Sequence, residues 1–388
     1  MVCNMDAKKR VIFIPYTLSQ GGGAERVLAE YLENIDKTKY EIDILECHRG
    51  INTKYLTIKG VNYLPPIYDE NRSGLTNSLR KHLLRYSSYC GFLSKILTPK
   101  KKYDVCVSFN YQIPSFINRY VRCRHRIMWV HSSIEDLDYK GIKGFRKFLR
   151  FLRNRLQLKA FEKADDIITI SDMSRNSIVN LSSSVKNKIG IIHNGFDLEK
   201  ITLNSEEPTE IDEKQRHRLI VVSRLDSNKN VISTIRALAL IRKRVDAELF
   251  ILGDGPERAS LEAESRRLGL EDFVKFFGFI DNPYPYIKTA DLLCLSSYIE
   301  GSPVIVLESL RLGVPFVSYE VGGVEEFSEN GTVGKVVRNR NFDNYVSMVV
   351  NLLDSDEVLP EMKRKAPLVA ARYDIRNQVI LLENLLNK

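Results

Sequence analysis

Long hydrophobic runs are missing from the 388-residue sequence. No apolar run approaches the roughly 18 residues that a membrane-spanning helix needs. Behind the basic residues 8–10, the apolar stretch covers only residues 11–14, which is typical of a strand and too short for a signal peptide. We therefore expect neither a transmembrane helix nor a secretory leader.

Cysteine is scarce, and its spacing excludes two kinds of site. The six cysteines are scattered, with no Cys-x-x-Cys pair and no histidine at ligand spacing. This pattern is typical of free thiols in a reducing compartment. We expect a cytoplasmic protein without a disulfide framework or a zinc site.

Two glycine-rich turns lack the residues of the common nucleotide-binding fingerprints. Residues 19–26 contain no Gly-Lys-Ser/Thr, which excludes a Walker A loop, and Arg26 occupies the place of the last glycine in Gly-x-Gly-x-x-Gly. The turn that begins at Gly253 fails the same test at Arg258. Either turn brings backbone N–H groups close to a phosphate or is simply a tight turn.

The net charge of +9 is distributed unevenly. Residues 1–200 carry 34 Lys/Arg and 20 Asp/Glu, whereas residues 201–388 carry 24 and 29. Within the first half, residues 72–163 hold 21 basic and 5 acidic residues, a net charge of +16. A domain with such a charge is suited to an anionic partner.

Strand-like and helical segments alternate along the chain. The strand-like segments are β-branched and apolar on both faces, as buried parallel strands are. They lie at 11–15, 42–46, 105–109, 127–131, 167–171, 189–193, 219–223, 248–252, 274–277, 292–296 and 316–318. Helical patterns lie at 24–35, 143–163, 231–245, 257–268, 303–312 and 373–388. The alternation predicts an α/β protein with two doubly wound domains in tandem.

The polar, acidic and unperiodic residues 199–217 have the composition of a linker. They separate a first domain at 1–198 from a second domain at 218–372. Ligands of such sheets bind outside the carboxyl ends of the strands, and we expect the site in the cleft between the two domains.

The most informative segment is Glu-Gly-Ser-Pro-Val-Ile-Val-Leu-Glu at 300–308. Pro303 fits the first turn of a helix, and Gly313 fits its end. The free N–H groups of the first turn then lie between Glu300 in the loop and Glu308 on the helix. A phosphate can bind these N–H groups while sugars on either side bind the carboxylates, which is the layout of a nucleotide-sugar. The alternative is an acidic loop and an ordinary surface glutamate.

Other polar residues also follow predicted strands. Arg224 and Lys229 come after the strand at 219–223, where two cations either bind phosphate oxygens or are solvated. His131 ends the strand at 127–131, where a histidine is either suited to chemistry or half-buried and bonded to backbone. Asn194-Gly195 is first of all a turn signal.

Taken in order, these segments resemble the retaining glycosyltransferases of family 4 (glycosyl transferases group 1), which have the GT-B fold. The resemblance extends over about residues 10–340. It is carried by residues 21–25, 131, 161–171, 194–195, 224, 229, 253–256, 277–279, 300–308, 322–323 and 326. It implies two Rossmann-like doubly wound domains that face a central cleft, with the helix at 373–388 crossing back to the first domain.

The resemblance also implies roles for individual residues. The catalytic residues would be Arg224 and Lys229 at the diphosphate leaving group, Glu300 at the transferred sugar, and His131 close to that sugar. Fixed cations are suited to this place because negative charge grows on the departing nucleotide. Glu308 would bind the ribose. The other donor-binding residues would be Gly22, Gly23, Gly253, Phe279, Gly301, Ser302, Val304 and Ile305.

The implied reaction moves a hexose or N-acetylhexosamine from a nucleotide-sugar, expected to carry UDP, to a growing glycan in cell-surface polysaccharide synthesis. The acceptor is a glycan, free or lipid-linked. The nucleotide-sugar is a substrate, and neither a cofactor nor a metal is expected. A metal-dependent alternative would need an Asp-x-Asp motif, and we interpret the pairs at 136–138 and 354–356 as acidic clusters at helix edges. Ser302, Pro303 and Glu325 depart from the residues common in the family, which puts the identity of the donor sugar in doubt.

Two other functions are weighed against this one. An epimerase acting on UDP-N-acetylhexosamine would have a similar fold. A nucleic-acid-binding protein would use the basic half, but the sequence lacks a recognisable module with interleaved aromatic and basic residues. It would also leave segment 300–308 unexplained, and we expect no nucleic-acid partner.

Two segments of the basic region have helical apolar periodicity. Residues 144–163 and 75–102 combine spaced apolar residues with arginine and lysine. Such a helix either packs on a core with a solvated basic face or docks on an anionic bilayer. We hypothesise peripheral binding to the inner face of the cell membrane, which would bring the protein close to a lipid-linked acceptor.

Overall fold

The computed structural model describes residues 8–19, 23–51, 58–131, 134, 144–209, 211 and 215–388. The chain divides into two compact units. The N-terminal unit comprises Met1–Phe196 and Ile375–Lys388, and the C-terminal unit comprises Asp197–Asp374. Each unit contains a parallel sheet with helices, which confirms the predicted α/β class with two Rossmann-like doubly wound domains.

A seven-stranded parallel sheet forms the N-terminal unit. Its strands, together with a separate two-stranded pair β3–β5, are β1 (Lys9–Pro15), β2 (Tyr40–Ile44), β3 (His48–Arg49), β4 (Asn62–Tyr63), β5 (Tyr68–Asp69), β6 (Lys102–Phe109), β7 (Arg122–Val130), β8 (Asp166–Thr169) and β9 (Ile189–Ile191). The order in the large sheet is β4-β2-β1-β6-β7-β8-β9. Residues 11–14 of the inner strand β1 are fully buried, as expected for a strand covered on both faces.

Six helices of the N-terminal unit are α1 (Gly23–Asn34), α2 (Leu75–Ser87), α3 (Gly91–Ile96), α4 (Ile113–Asn118), α5 (Gly144–Lys163) and α6 (Asp172–Leu181). A 3₁₀ helix, Ser183–Lys188, follows. Helix α6 begins where Ser171 caps it, with the Ser171 hydroxyl accepting from the N–H of Ser174 at 3.2 Å. Helices α2, α3, α4 and α5 contact one another in sequence, and α4 contacts strands β1, β6 and β7 of the large sheet.

A six-stranded parallel sheet forms the C-terminal unit. Its strands are β10 (His217–Val222), β11 (Ala247–Leu252), β12 (Val274–Gly278), β13 (Leu292–Leu295), β14 (Phe316–Tyr319) and β15 (Gly334–Val337). They lie in the order β12-β11-β10-β13-β14-β15. The chain order reverses between β10 and β13, and ligands of open α/β sheets bind outside the carboxyl ends of strands at such a point.

The helices of the C-terminal unit are α7 (Leu198–Asn204), α8 (Val231–Ile241), α9 (Arg258–Arg267), α10 (Tyr284–Lys288), α11 (Val304–Arg311), α12 (Val324–Ser328), α13 (Phe342–Leu353) and α14 (Val358–Ala370). Two 3₁₀ helices lie at Arg338–Arg340 and Ala371–Tyr373. Helix α15 (Ile375–Leu386) belongs to the N-terminal unit, where it contacts α1.

Helix α7 lies where the composition indicated a linker at 199–217. Asp197 caps it, because the carboxylate accepts from the N–H groups of Glu199 and Lys200 at 3.1 and 3.0 Å. The Arg311 guanidinium binds the same helix. The boundary between the units therefore falls between Phe196 and Asp197, and the polar residues that follow begin the C-terminal unit.

Among the described helices, none combines the length and apolar character needed to cross a membrane.

Candidate functional site

Two loops are joined by hydrogen bonds at the carboxyl ends of β10 and β13. We call residues 223–230 and 296–303 the switch-point loops. The N–H of Tyr298 donates to the carbonyl of Asn228 at 2.8 Å. The Asn230 amide donates to the carbonyl of Ser296 at 3.2 Å, and the Ser296 hydroxyl donates to the carbonyl of Asn230 at 2.8 Å. These reciprocal bonds hold the two loops in one arrangement.

The switch-point loops bring Lys229 and Glu300 together. Lys229 Nζ lies 2.6 Å from Glu300 Oε1, and the Ser297 hydroxyl donates to the same oxygen at 2.8 Å. The two charged side chains are 24% and 15% exposed, so water screens them only partly. Two residues that were predicted to act at one site are therefore in direct contact.

Asp226 binds both cationic residues of the first switch-point loop, Arg224 through its side chain and Lys229 through its backbone N–H. One carboxylate oxygen binds Arg224 Nε at 2.7 Å, and the other accepts from the N–H groups of Asn228 and Lys229 at 3.0 and 3.2 Å. Burial by itself raises the Asp226 pKa, but the bonds from Arg224 and from these N–H groups outweigh it and lower the pKa. Arg224 remains 76% exposed. We did not predict Asp226 from the sequence, although an aspartate two residues after Arg224 in a turn was a signal for it.

Gly253 lets the turn after β11 pack directly against the first switch-point loop. Its φ is +130°, and a Cβ there would lie 1.8 Å from the carbonyl oxygen of Ser223. Its N–H donates to the carbonyl of Gly278 at 2.7 Å, at the end of β12. Phe279 follows directly and is 76% exposed. Gly253 therefore supports the first switch-point loop through backbone packing, and the Phe279 side chain is exposed just after the end of β12.

Gly322 supports the second switch-point loop in the same way. Its N–H donates to the carbonyl of Glu300 at 3.1 Å, and a Cβ there would lie 2.4 Å from the carbonyl oxygen of Gly301. Ser302 is buried between these segments, and its hydroxyl has no hydrogen-bond partner among the described residues. Packing of two backbones thus fixes the chain between Glu300 and the next helix.

Helix α11 begins at Val304 and points its first turn at these loops. Pro303 is the N-cap residue, one position before the helical turn in which we predicted it, and its side chain cannot cap the helix. In the described chain the N–H groups of Val304 and Ile305 have no backbone acceptor. Such a helix start favours an anion. The helix ends at Arg311 with Leu312 as its C-cap, one residue before the predicted cap Gly313, which has φ +76°.

Glu308 lies on α11 and is 4% exposed. Its Oε1 accepts from the Tyr284 hydroxyl at 2.8 Å. A buried carboxylate needs such donors to replace the hydrogen bonds that it loses from water. Tyr284 is a second residue of the site that sequence reasoning missed.

In the N-terminal unit, His131 follows β7 and is buried against two aromatic rings. Its ring centroid lies 3.8 Å from that of Phe109 and 5.1 Å from that of Trp129. Its Nε2 has no partner within the described residues. Burial lowers the pKa of the imidazole to about 3, so the ring is neutral at neutral pH. Gly23 begins α1, and no atom lies within 4 Å of the position that a Cβ would occupy there, whereas Gly22 lies outside the described residues.

The described residues contain no group of three or more His, Cys, Asp or Glu that could hold a metal ion. Asp354 ends helix α13, in keeping with an acidic cluster at a helix edge. Residues 136–138 lie outside the described part of the chain.

The basic region exposes part of its apolar residues. Helix α5 buries Asn154, Gln157, Ala160 and Phe161, all in its second half. The three phenylalanines of its first half are 72%, 53% and 47% exposed; they are Phe145, Phe148 and Phe151. The second half of α5 therefore packs on the unit, whereas the first half presents an apolar and basic surface.

Known protein families and curated proteins match this chain over most of its length. The family model "Glycosyltransferase Family 4" matches residues 21–200, and the model "Glycosyl transferases group 1" matches residues 204–369. A curated relative from Campylobacter jejuni is N-acetylgalactosamine-N,N'-diacetylbacillosaminyl-diphospho-undecaprenol 4-alpha-N-acetylgalactosaminyltransferase. It is 26% identical over 387 residues, covering 95% of this chain and 96% of that protein.

Two solved structures share the fold. Anabaena Alr3699/HepE in complex with UDP has a TM-score of 0.73 at 17% identity, covering 97% of this chain and 99% of that one. The lipopolysaccharide outer core galactosyltransferase WaaB, in its apo form, has a TM-score of 0.71 at 20% identity with the same coverage.

Proposed function

Because the chain belongs to the glycosyltransferases of group 1 and family 4, with the GT-B fold, we propose that it moves a hexose or N-acetylhexosamine from a UDP-sugar to a lipid-linked glycan. The reaction would serve cell-surface polysaccharide synthesis. The UDP assignment is supported by the neighbour solved with UDP. The lipid-linked acceptor is supported by the relative whose name specifies a diphospho-undecaprenol substrate.

The contact between Lys229 and Glu300 at the start of α11 is the observation that carries the proposal. Lys229, Arg224 and the first N–H groups of α11 bind the diphosphate. Glu308 binds the ribose through its carboxylate. Glu300 accepts hydrogen bonds from the transferred sugar, with the backbone at Gly301 and Ser302 beside it. The diphosphate, the ribose and the transferred sugar of the donor are thus each bound by groups of matching chemistry.

When the donor binds, Lys229 and Glu300 each exchange their contact with the other for a contact with the donor. A diphosphate oxygen competes for the ammonium of Lys229, and sugar hydroxyls donate to the carboxylate of Glu300. The charge of Lys229 is then available when the bond to the leaving group breaks. Since the protein supplies this positive charge itself, we propose that the reaction needs no metal ion.

The proposed chemistry retains the anomeric configuration. The bond between the anomeric carbon and the UDP oxygen breaks, and the acceptor oxygen bonds to the same face of that carbon. The acceptor proton passes to the departing phosphate oxygen, which yields UDP and the glycoside. We propose that His131, which burial holds neutral, serves as a hydrogen-bonding group rather than as a cation.

We further propose that the N-terminal unit binds peripherally to an anionic membrane. The exposed Phe145, Phe148 and Phe151 lie among arginines and lysines, and residues 72–163 carry 21 basic and 5 acidic residues. Apolar insertion and attraction to anionic lipids reinforce each other on such a surface.

Calorimetry with UDP, GDP and ADP in the presence of EDTA tests the donor assignment. We expect selective micromolar binding of UDP, weakened at least about tenfold by Lys229→Ala. The matched control is Lys243→Ala, which removes an exposed lysine beyond the far end of α8. Equal binding of the three nucleotides, or none, would overturn the proposal. NMR of the glycoside product then tests retention, since an inverted anomer contradicts it.

A further inference from the structure

A cavity of about 400 Å³ lies in the N-terminal unit, apart from the residues assigned to the reaction. Residues from α2, the end of α3 and the start of β6 line it, together with the segments that follow β2 and β4. This volume is at the low end for ligand pockets, which hold roughly 300–1,000 Å³.

The wall of the cavity is apolar. It is formed by Leu45, Leu64, Pro65, Pro66, Ile67 and Leu97. The two hydroxyl groups of the lining already have partners: the Tyr103 hydroxyl donates to Asp43 at 2.7 Å, and the Thr98 hydroxyl donates to the carbonyl of Ser94 at 2.8 Å. A sugar or a base would lose its hydrogen bonds to water here without replacement. The cavity is therefore suited to a hydrocarbon chain.

The mouth of the cavity is cationic. Lys101 is compensated, because its ammonium lies 3.0 Å from Glu41 and 2.9 Å from Asp43. Arg80 and Lys100 are exposed and have no ion-pair partner in the described part of the chain. These two side chains can bind a diphosphate at the entrance.

The apolar surface continues outward from the mouth. Ile96 belongs to the lining and is 54% exposed, while Leu79 on α2 and Phe92 on α3 are 59% and 66% exposed. A chain leaving a bilayer can follow these side chains into the cavity without crossing a polar region.

We infer that this cavity binds the lipid end of the acceptor, with the terminal isoprenoid units of a polyprenyl diphosphate inside and the diphosphate at Arg80 and Lys100. The inference rests on the proposed function, because the occupant is part of the proposed acceptor. A single chain fits the small volume, whereas the two chains of a phospholipid do not. The site would hold the lipid while leaving the glycan outside.

Calorimetry with farnesyl diphosphate, a short polyprenyl diphosphate, tests the inference in the full chain. Excess UDP is present throughout, so that the donor site is occupied. We expect farnesyl diphosphate to bind at least about tenfold more tightly than inorganic diphosphate, because the chain adds buried apolar area. Binding no tighter than that of inorganic diphosphate overturns the inference.

Three variants locate the binding. We expect Ile96→Asp at the mouth to weaken farnesyl diphosphate binding at least about tenfold, since it places a charge beside both the chain and the diphosphate. We expect the double variant Arg80→Ala, Lys100→Ala to reduce the preference for farnesyl diphosphate over farnesol. The control is Leu75→Asp on α2, which is 91% exposed and outside the lining, and should bind like the wild type.

Other outcomes separate the alternatives. Unchanged affinity in Ile96→Asp overturns the site, provided that the variant melts and binds UDP like the wild type. Equal affinity for dodecyl phosphate overturns the isoprenoid assignment. A protein that binds farnesyl diphosphate at this cavity but no UDP retains the lipid site and loses the proposed donor, so the two failures are distinguishable.

Discussion

The two units differ in whether their cationic side chains have carboxylate partners. In the C-terminal unit the cations of the site have fixed carboxylate partners, as Lys229 has in Glu300 and Arg224 in Asp226. In the N-terminal unit residues 72–163 hold 21 basic and only 5 acidic residues, and cations such as Arg80 have no partner among the described residues.

This difference matches the size of the partner that each unit is proposed to bind. Paired charges on cross-bonded loops hold a small anion in one geometry, which stabilisation of a transition state requires. Unpaired charges on helices with exposed aromatic residues bind a large anionic surface, for which no single geometry is required. If the two units differ in this way, substitutions at paired charges should have the largest effects and substitutions on the exposed surface of the N-terminal unit the smallest.

Removing the paired cation should have the largest effect. We expect Lys229→Ala to lower turnover by about 10²–10³-fold, because the departing diphosphate loses a preorganised charge and Glu300 loses its partner. Measurement of UDP release at saturating donor checks this, with Lys243→Ala as the control. Turnover within about threefold of the wild type would remove the role assigned to Lys229.

Adding one methyl group at Gly253 should break the loop packing of the C-terminal unit. The new Cβ would lie 1.8 Å from the Ser223 carbonyl oxygen, at a φ of +130°. We expect Gly253→Ala to reduce the free energy of unfolding by more than about 3 kcal/mol, since backbone atoms have to move. Gly269→Ala is the matched control, because its φ is +65° but no atom lies within 4 Å of the Cβ position. Denaturant unfolding should give about 1 kcal/mol for that control, and equal losses in both variants would contradict the packing argument.

Tyr284→Phe should weaken donor binding without slowing the chemical step. The variant removes the 2.8 Å hydrogen bond to Glu308, so the carboxylate is less well positioned for the ribose. We expect the KM for the donor to rise about five- to tenfold while kcat is retained. A fall in kcat at unchanged KM would show that the hydroxyl acts in the reaction instead.

His131 should make acid destabilisation of the N-terminal unit steeper. The unfolded histidine titrates at about 6.5, whereas burial lowers the folded pKa to about 3. Between these values the unfolded state binds more protons, so the free energy of unfolding decreases as the pH falls from about 6.5 to about 3. We expect His131→Asn to flatten this dependence in denaturant titrations. Parallel curves for the two proteins would mean that the ring is not held neutral.

Removing apolar side chains from the surface of the N-terminal unit should have the smallest effect per residue. We expect Phe145→Asp with Phe148→Asp to reduce binding to vesicles rich in phosphatidylglycerol several-fold at low salt, because both rings are exposed for insertion. Leu203→Asp, at a 73% exposed leucine of the C-terminal unit, is the control. Equal losses in the two proteins, or no binding by the wild type, would end the membrane hypothesis.

Much of the fold follows from local patterns. The segments predicted as strands at 11–15, 219–223 and 248–252 agree with β1, β10 and β11, and their ends differ by at most two residues. Such strands can be predicted because buried parallel strands are apolar throughout. The proximity of Lys229 and Glu300 could also be predicted from the sequence, since both residues follow strands whose carboxyl ends meet.

Other features depend on contacts between distant segments and could not be predicted. The bond from Tyr284 to Glu308 joins two helices whose relative position is set by the whole sheet. The polar segment after Asp197 forms a helix to which Arg311 binds, whereas composition alone indicated a linker. The periodicity of α5 gave no sign that only its second half would be buried.

Calorimetric comparison of UDP with uridine, in EDTA, tests the central claim most directly. We propose that the paired charges at the start of α11 are arranged for a diphosphate. We expect the wild type to prefer UDP over uridine by about 100-fold or more and Lys229→Ala to lose most of this preference. Equal affinity for UDP and uridine, or a preference that survives in Lys229→Ala, would contradict it.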